Sequence, residues 1–225
     1  MTFERKIVTT EDGSHTFKLL EVNEQYHSLF GAIEESIQVF VNNGFRHIAK
    51  KFNQPNIFEV GLGTGLNAFL SAIEAHDTES ACNYFAIEPF PITEAEYKLL
   101  NYPLMVADGN YDYIFRYIHT LPFGQTEQVS PNFLFRKEQV KLEDIELPNN
   151  HFHLIYFDAF GPDTQPEMWC QEVFDKLYKS MTPGGVIVTY CSKGQVRRNI
   201  KQAGFEVEKI PGPTGKREIT RAKKP

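Results

Sequence analysis

A glycine-rich segment carries the strongest chemical signal in the sequence. Glu59-Val-Gly61-Leu-Gly63-Thr-Gly65 follows a short apolar run and precedes a helical pattern. Glycines at such a position allow a tight turn and let backbone N–H groups approach a ligand closely. The spacing is GxGxG, and Leu66 stands where a dinucleotide-binding fingerprint has its third glycine. The segment therefore predicts a cofactor loop and argues against NAD.

The acid before the first glycine narrows the class of cofactor. Glu59 followed by GxGxG is the usual form in S-adenosylmethionine (SAM) methyltransferases, and the alternative is an ordinary glycine-rich strand–helix turn. Glu88 ends the next predicted strand, where a carboxylate can accept both ribose hydroxyls. Glu138 follows a third predicted strand and is the candidate for the adenine amino group. For Glu138 the alternative is a solvated charged run over 136–146.

Asp158 is the candidate catalytic residue. It ends the apolar run 154–158 and is followed by Ala-Phe160-Gly-Pro. A carboxylate there can orient an amine and stabilise the positive charge that moves from sulfur to nitrogen during methyl transfer. With an ordinary pKa of ~3.9 it is a weak base, so orientation is expected rather than full proton removal. Phe160 is a candidate to stack on a base, and the alternative for Asp158 is a helix cap.

The elements that must position these residues alternate along the chain. Predicted strands cover 56–60, 84–88, 132–136, 154–158 and 185–191, and predicted helices cover 31–43, 66–76, 93–101, 167–180 and 195–203. Hairpins are predicted over 5–20 and over 205–221. Strands alternating with helices predict an α/β, Rossmann-like fold with a parallel sheet and ligands at the carboxyl ends of its strands.

The predicted organisation has two parts. An N-terminal extension of hairpin and helix over 1–52 packs on a core domain over 53–225. The core carries a helical insertion over 102–132, whose aromatic residues favour a packing cluster over a base-stacking platform.

The composition places the chain among globular proteins, with 225 residues, 41% of them hydrophobic and 23% charged. No apolar run approaches the ~20 residues of a membrane span, and the N-terminus lacks the apolar stretch of a secretory signal. Three cysteines stand far apart without a CxxC pair, which argues against a disulfide framework or a zinc site. These features predict a cytoplasmic protein without a bound metal.

A basic C-terminal segment stands out from the net charge of −6. Residues 193–225 hold ten Lys or Arg and three acids, a local charge of +7. A local basic patch can bind nucleic acid even on an acidic protein. The alternative is a solvated surface, and charge alone favours that alternative.

Four segments in order resemble the methyltransferase domain of the MnmC family. They are Tyr26-His-Ser with Glu35-Ser36, the glycine motif Glu59 to Asn67, Phe157-Asp-Ala-Phe-x-Pro-x-x-x-Pro-x-Met-Trp169, and Val196-Arg-Arg with Lys216-Arg-Glu218. The resemblance covers nearly the whole chain. It implies a class I SAM-dependent methyltransferase that converts 5-aminomethyl(-2-thio)uridine at the tRNA wobble position to 5-methylaminomethyl(-2-thio)uridine.

The resemblance also implies roles for individual residues. Cofactor contacts are implied for Gly61, Gly63, Gly65 and Glu88, with Tyr26 and Glu35 lining the same cleft and Asp158 acting on the acceptor. A tRNA-facing patch is expected from Lys193, Arg197, Arg198, Lys216 and Arg217. Many family members are fused to an FAD-dependent oxidase. Since the chain ends at Pro225, a stand-alone methyltransferase is expected that depends on another source of the aminomethyl precursor.

Two other functions remain open at this stage. An aminopropyltransferase of the spermidine synthase type shares the fold and the acidic strand end. It would want more acids near the acceptor loop to hold a polycation, whereas this loop offers Asp163 and the C-terminus is basic. A non-catalytic RNA-binding module with a SAM pocket is the alternative from a different class.

Overall fold

An eight-stranded mixed sheet forms the centre of the computed structural model, which describes residues 4–225. The first three residues of the predicted extension lie outside this range. The strands are β1 Arg5–Thr9, β2 His15–Leu19, β3 Glu24–Gln25, β4 Asn56–Val60, β5 Cys82–Ile87, β6 Thr126–Ser130, β7 Phe133–Glu138, β8 Phe152–Phe157, β9 Met181–Thr189, β10 Glu206–Pro211 and β11 Glu218–Lys223. The α-helices are α1 Ala32–Ser36, α2 Arg46–Ala49, α3 Leu66–Asp77, α4 Glu94–Tyr97, α5 Tyr102–Ala107, α6 Asp112–Thr120, α7 Gln171–Ser180 and α8 Gly194–Gln202.

The strand order brings the chemically interesting segments together. The central sheet runs β10-β11-β9-β8-β4-β5-β7-β6, and β4 pairs in parallel with both β5 and β8. The glycine loop after β4, Glu88 after β5 and Asp158 after β8 therefore emerge at one edge from three adjacent strands. The predicted Rossmann-like α/β class is confirmed, and within the described part of the central sheet the antiparallel pairs lie at its two flanks. The N-terminal strands β1, β2 and β3 form a separate antiparallel sheet.

Alternation along the central strands builds a core on each face of the sheet. In β8, Leu154 and Tyr156 join the cluster that contains α3, and Ile155 and Phe157 join the cluster that contains α7 and α8. Successive strand residues point to opposite faces, and both faces are covered, so the strand reads as a continuous apolar run. This is why β4 and β8 could be predicted from sequence.

The helix predicted over 31–43 is longer than expected. α1 passes through a π-helical segment, Ile37–Phe45, into α2, so the chain stays helical to Ala49. Gly44 does not end the helix. A Cβ at Gly44 would stand 2.7 Å from the Tyr156 ring, so glycine serves here to let the helix approach the sheet.

The region 102–132 contains more structure than predicted. The predicted helical insertion contains two helices, α5 and α6, and the strand β6 follows them and pairs antiparallel with β7. The first three residues of β6 are exposed, so the segment lacks the apolar pattern that marks a strand. Tyr102 and Phe115 are buried and in edge contact, as the predicted packing cluster requires.

Replacing Gly44 by alanine should lower the stability of the protein. The clash with Tyr156 outweighs the better helix propensity of alanine, with a net loss of about 1–2 kcal/mol, seen as a lower midpoint in thermal unfolding. Gly194→Ala is the matched control, because its Cβ would come no closer than 3.4 Å to Arg198. A Gly44→Ala midpoint equal to that of the wild type would contradict this packing.

Candidate functional site

A cavity of about 930 Å³ opens at the carboxyl edge of β4, β5 and β8. It falls within the ~300–1,000 Å³ of small-molecule sites. Its lining combines the N-terminal segment, the glycine loop, the strand ends and the loop between β10 and β11, represented by Tyr26, Gly63, Glu88, Asp158 and Lys216.

Two glycines of the loop have no room for a side chain. Gly61 has φ 89° and Gly63 has φ 52°, in the region that favours glycine. A Cβ at Gly61 would lie 2.8 Å from the backbone oxygen of Asp158, and one at Gly63 would lie 3.0 Å from the Tyr26 ring. The loop thus presents bare backbone to the cavity. Gly65 is the N-cap residue of α3, and a Cβ there would lie 3.0 Å from the His119 ring. Gly65 is not among the residues that line the cavity.

The Glu88 carboxylate is held in place by the loops on either side of it. Its Oε2 accepts the N–H of Gly63 at 2.9 Å and its Oε1 accepts that of Phe90 at 2.8 Å. Burial raises the pKa of Glu88, and these two donors act in the opposite direction. A carboxylate has about four lone-pair sites, so acceptors remain for a pair of hydroxyl groups.

An aromatic wall faces the glycine loop. The Tyr26 hydroxyl accepts a hydrogen bond from Arg5 Nε at 2.8 Å, and Arg5 also donates to the backbone oxygen of Phe90 at 2.6 Å. Phe160 packs edge-on against Tyr26, with ring centroids 5.2 Å apart. Arg5 therefore ties the N-terminal strand to the loop after β5 and fixes Tyr26 over the cavity.

The pKa of the Asp158 carboxyl group, which lines the cavity, is strongly perturbed. Its Oδ2 accepts a hydrogen bond from Asn67 Nδ2 at 2.8 Å. Desolvation and the nearby charge of Glu35 raise the pKa of Asp158 from its ordinary 3.8 to about 7, while Asn67 and Lys216 act in the opposite direction. The Asp158 carboxylate is therefore a stronger base than an aspartate of ordinary pKa, the value on which the sequence analysis relied.

A second carboxylate and an ammonium group line the same cavity as Asp158. Glu35 is 6% exposed, and its Oε2 accepts the backbone N–H of Ser28 at 2.7 Å. Its Oε1 pairs with the ammonium of Lys216, which also lies over the Tyr190 ring, 4.1 Å from the centroid. The extension and the C-terminal hairpin thus meet at the site through Glu35 and Lys216.

Glu59, the acid of the predicted cofactor motif and a candidate cofactor-binding residue, is not among the residues that line the cavity. It is fully buried beneath the loop, on the sheet face that carries Tyr84. Neither of its carboxyl oxygens has a hydrogen-bond partner among the described residues. Desolvation raises its pKa well above the usual range, and the charge of Asp158 adds to the effect. Glu59 therefore supports the glycine loop from below and does not face the cavity.

Glu138 does not line the cavity either. Its side chain pairs with Arg136, two residues earlier on the same face of β7. Residues two apart in a strand share a face, so a local ion pair engages the carboxylate. The backbone oxygen of Glu138 instead accepts the N–H of Glu88 at 3.0 Å.

The expected basic patch is divided in the structure. The Arg197 guanidinium donates a hydrogen bond to the Thr220 hydroxyl and forms an ion pair with Glu218 at 2.8 Å. Both partners lie on β11. Lys193 pairs with Asp163 at the surface, and Arg198 and Arg217 are exposed. Of the patch residues, Lys216 alone is among those lining the cavity.

Three residues at the site were not singled out from the sequence. Asn67 holds Asp158, and its position two residues after Gly65 is the local signal that could have found it. Tyr190 follows β9 and donates its hydroxyl to the backbone oxygen of Ala159 at 2.9 Å. His27 lines the cavity, and burial lowers its pKa to about 4, so it is neutral at physiological pH.

Over residues 4–225, no group of His, Cys, Asp and Glu side chains is arranged to hold a metal ion. Within the same residues, no helix has the length and apolar character needed to cross a membrane.

The chain belongs to a family of S-adenosyl-L-methionine-dependent methyltransferases. The family model with that description matches residues 112–225, just over half of the chain. The cofactor class inferred from the glycine loop is thereby confirmed, although the matched segment begins after that loop. SAM is the cofactor of this family.

Similarity to named proteins supports the resemblance to MnmC. The chain is 30% identical over 213 residues to the tRNA 5-methylaminomethyl-2-thiouridine biosynthesis bifunctional protein MnmC of Nitrosospira multiformis, covering 86% of this chain and 33% of that protein. The chain therefore spans about a third of the length of this curated relative.

Two solved structures share the fold. MNMC2 from Aquifex aeolicus superposes with a TM-score of 0.80 at 22% identity, covering 99% of this chain and 71% of that chain. Spermidine synthase from Thermotoga maritima superposes with a TM-score of 0.56 at 12% identity, covering 100% of this chain and 75% of that chain. At these identities both likenesses concern the fold.

The environment of Asp158 predicts a pH-dependent cost in stability. The folded state keeps the Asp158 proton to a higher pH than the unfolded chain, so ionisation destabilises the fold. The cost is absent below pH ~4, grows above it, and is complete above pH ~7, with a ceiling of roughly 4 kcal/mol. Asp158→Asn should therefore unfold at a higher temperature than the wild type at about pH 8, and the difference should shrink toward about pH 5.

The control for this comparison is Asp144→Asn, which changes an exposed carboxylate. Thermal unfolding followed by circular dichroism at both pH values measures the effect. A gain for Asp158→Asn that is equal at both values would contradict the raised pKa.

Proposed function

We propose that this protein transfers a methyl group from SAM to the primary amine of 5-aminomethyl(-2-thio)uridine at the wobble position of tRNA. The proposal rests on one observation above all. Asp158 lies in the cavity, with a pKa near neutrality and with a second carboxylate, Glu35, beside it. The names of the similar proteins support the same acceptor.

The cavity residues fit the cofactor of the family. Bare backbone at Gly61 and Gly63 allows close approach, and Glu88 keeps acceptor positions for the two ribose hydroxyls. In this assignment Gly61, Gly63, Glu88 and Tyr26 hold SAM. When bound, SAM supplies an electrophilic methyl group on a sulfonium.

Asp158 is assigned to the acceptor amine. An alkylammonium has an ordinary pKa near ~10 and must lose a proton before its lone pair can attack. A carboxylate with a pKa of about 7 accepts that proton more readily than an exposed aspartate. Asn67 fixes one oxygen of the carboxylate, so the other is available to the amine.

The rest of the cleft is assigned to the tRNA. Phe160, which packs against Tyr26, offers aromatic surface to the uracil ring. Lys193, Arg198 and Arg217 are exposed near the C-terminal end and are assigned to phosphate contacts. Arg197 is left out, because its guanidinium stabilises β11. Residues 4–52, as the N-terminal extension, complete the cleft by supplying Tyr26 and Glu35.

Nucleoside mass spectrometry tests the proposal directly. Purified protein and SAM are incubated with tRNA that carries 5-aminomethyl-2-thiouridine. The nucleoside should gain the mass of one methyl group, and Asp158→Ala should slow the transfer by about 10²-fold or more. Asp144→Ala, an exposed acid, is the matched control.

The affinity for SAM distinguishes a failure of the Asp158 assignment from a failure of the acceptor assignment. Calorimetry with SAM should give nearly the same affinity for Asp158→Ala and wild type. A comparable loss of SAM affinity would remove Asp158 from its assigned role. If SAM binds but no tRNA nucleoside gains a methyl group, the acceptor assignment fails. Transfer to putrescine from decarboxylated SAM would point to the aminopropyltransferase alternative.

A further inference from the structure

The ammonium of Lys216 lies among groups that suit an alkylammonium ligand. It pairs with Glu35 and stands over the face of Tyr190, 4.1 Å from the ring centroid. Asp158 is close enough for the Lys216 charge to lower its pKa. A carboxylate and an aromatic face are the usual means by which proteins bind a cation. We call Glu35, Tyr190 and Asp158 the amine cage.

The cage keeps its shape independently of Lys216. Glu35 is fixed by the backbone N–H of Ser28, Tyr190 by the backbone oxygen of Ala159, and Asp158 by Asn67. Each anchor comes from a part of the chain other than the loop that carries Lys216. The cage would therefore remain in place if the lysine left it.

Lys216 is held differently from the other enclosed lysines of the described chain. Lys224 donates to the backbone oxygens of Tyr178 and Met181, and Lys137 to those of Ile118 and His119. Such contacts are typical of a structural lysine.

The hydrogen-bond partner of Lys216 is the side chain of Glu35, and the lysine side chain is 28% exposed at a cavity wall. A flexible lysine chain can leave such a site without exposing a buried backbone group.

The charges at the cage favour the binding of a cation. Glu35 and Asp158 each contribute a carboxyl group, and desolvation together with the charge of Glu35 raises the pKa of Asp158. A lysine ε-amine is a primary amine on a methylene carbon, which is also the chemical form of an aminomethyl group.

We propose that the amine cage is the subsite for the primary amine of the acceptor, and that Lys216 occupies it until the acceptor displaces it. The identity of the acceptor rests on the proposed function, whereas the cage and its occupant do not. Lys216 thus acts as an internal competitor for the site, and its release exposes the ammonium at the cavity mouth.

Removing the competitor should tighten amine binding. A subsite that is free about a tenth of the time binds its ligand about tenfold more weakly than an open one. Lys216→Met should therefore bind n-butylammonium chloride on the order of tenfold more tightly than the wild type, measured by calorimetry with S-adenosylhomocysteine present. Lys209→Met, an exposed lysine in the same hairpin, should bind as the wild type does.

The direction of the change in n-butylammonium affinity tests whether Lys216 competes for the amine cage. Weaker or equal n-butylammonium binding by Lys216→Met overturns the proposal. Loss of S-adenosylhomocysteine affinity in Lys216→Met also overturns it, by assigning the lysine to the cofactor. Lys216→Gln gives the same comparison if the methionine variant does not fold. If n-butylammonium binds more tightly but 5-aminomethyluridine binds to no form of the protein, the cage stands and the proposed acceptor fails.

Discussion

Two carboxyl groups that line the same cavity are the constraint on which the site depends. Desolvation and the nearby charge of Glu35 disfavour the ionised form of Asp158. A hydrogen bond from Asn67 and the ammonium of Lys216 offset part of that cost. The net effect is a pKa of about 7 for Asp158, so its carboxylate accepts a proton from an amine more readily than an exposed aspartate does. The raised pKa of Asp158 lowers the stability of the folded protein at neutral pH, and such a cost is common at functional sites.

The surrounding strands, helix and hairpin hold Asp158, Glu35 and Lys216 in position around the cavity. Adjacent parallel strands β4 and β8 bring the glycine loop and Asp158 together, and the close approach of Gly61 to the Asp158 backbone leaves no space between them. The long helix after β3 crosses the sheet at Gly44 and supplies Glu35 from its first turn. The hairpin β10–β11 then brings Lys216 back over the same point. Three distant parts of the sequence therefore define one small volume.

Sequence reasoning succeeded where a signal was local. The loop Gly61 to Gly65, Glu88 and Asp158 each follow a continuous apolar strand, and strand order made their convergence predictable. It failed where partners decide a side chain's role. Glu138 pairs with Arg136 on its own strand and does not line the cavity. Arg197, expected in the tRNA-facing patch, is largely enclosed and pairs with Glu218. The contacts of Lys216 with Glu35 span 181 positions, and no pattern in the sequence encodes such a distance.

The pKa of Asp158 is the quantity that tests this account most directly. Carbon-13 NMR of protein labelled at the aspartate carboxyl carbons can follow each group through a pH titration, with Asp158→Asn to assign the signal. The account predicts a midpoint near 7 for Asp158. A midpoint near ~4, as for an exposed aspartate, would contradict the electrostatic basis proposed for the site.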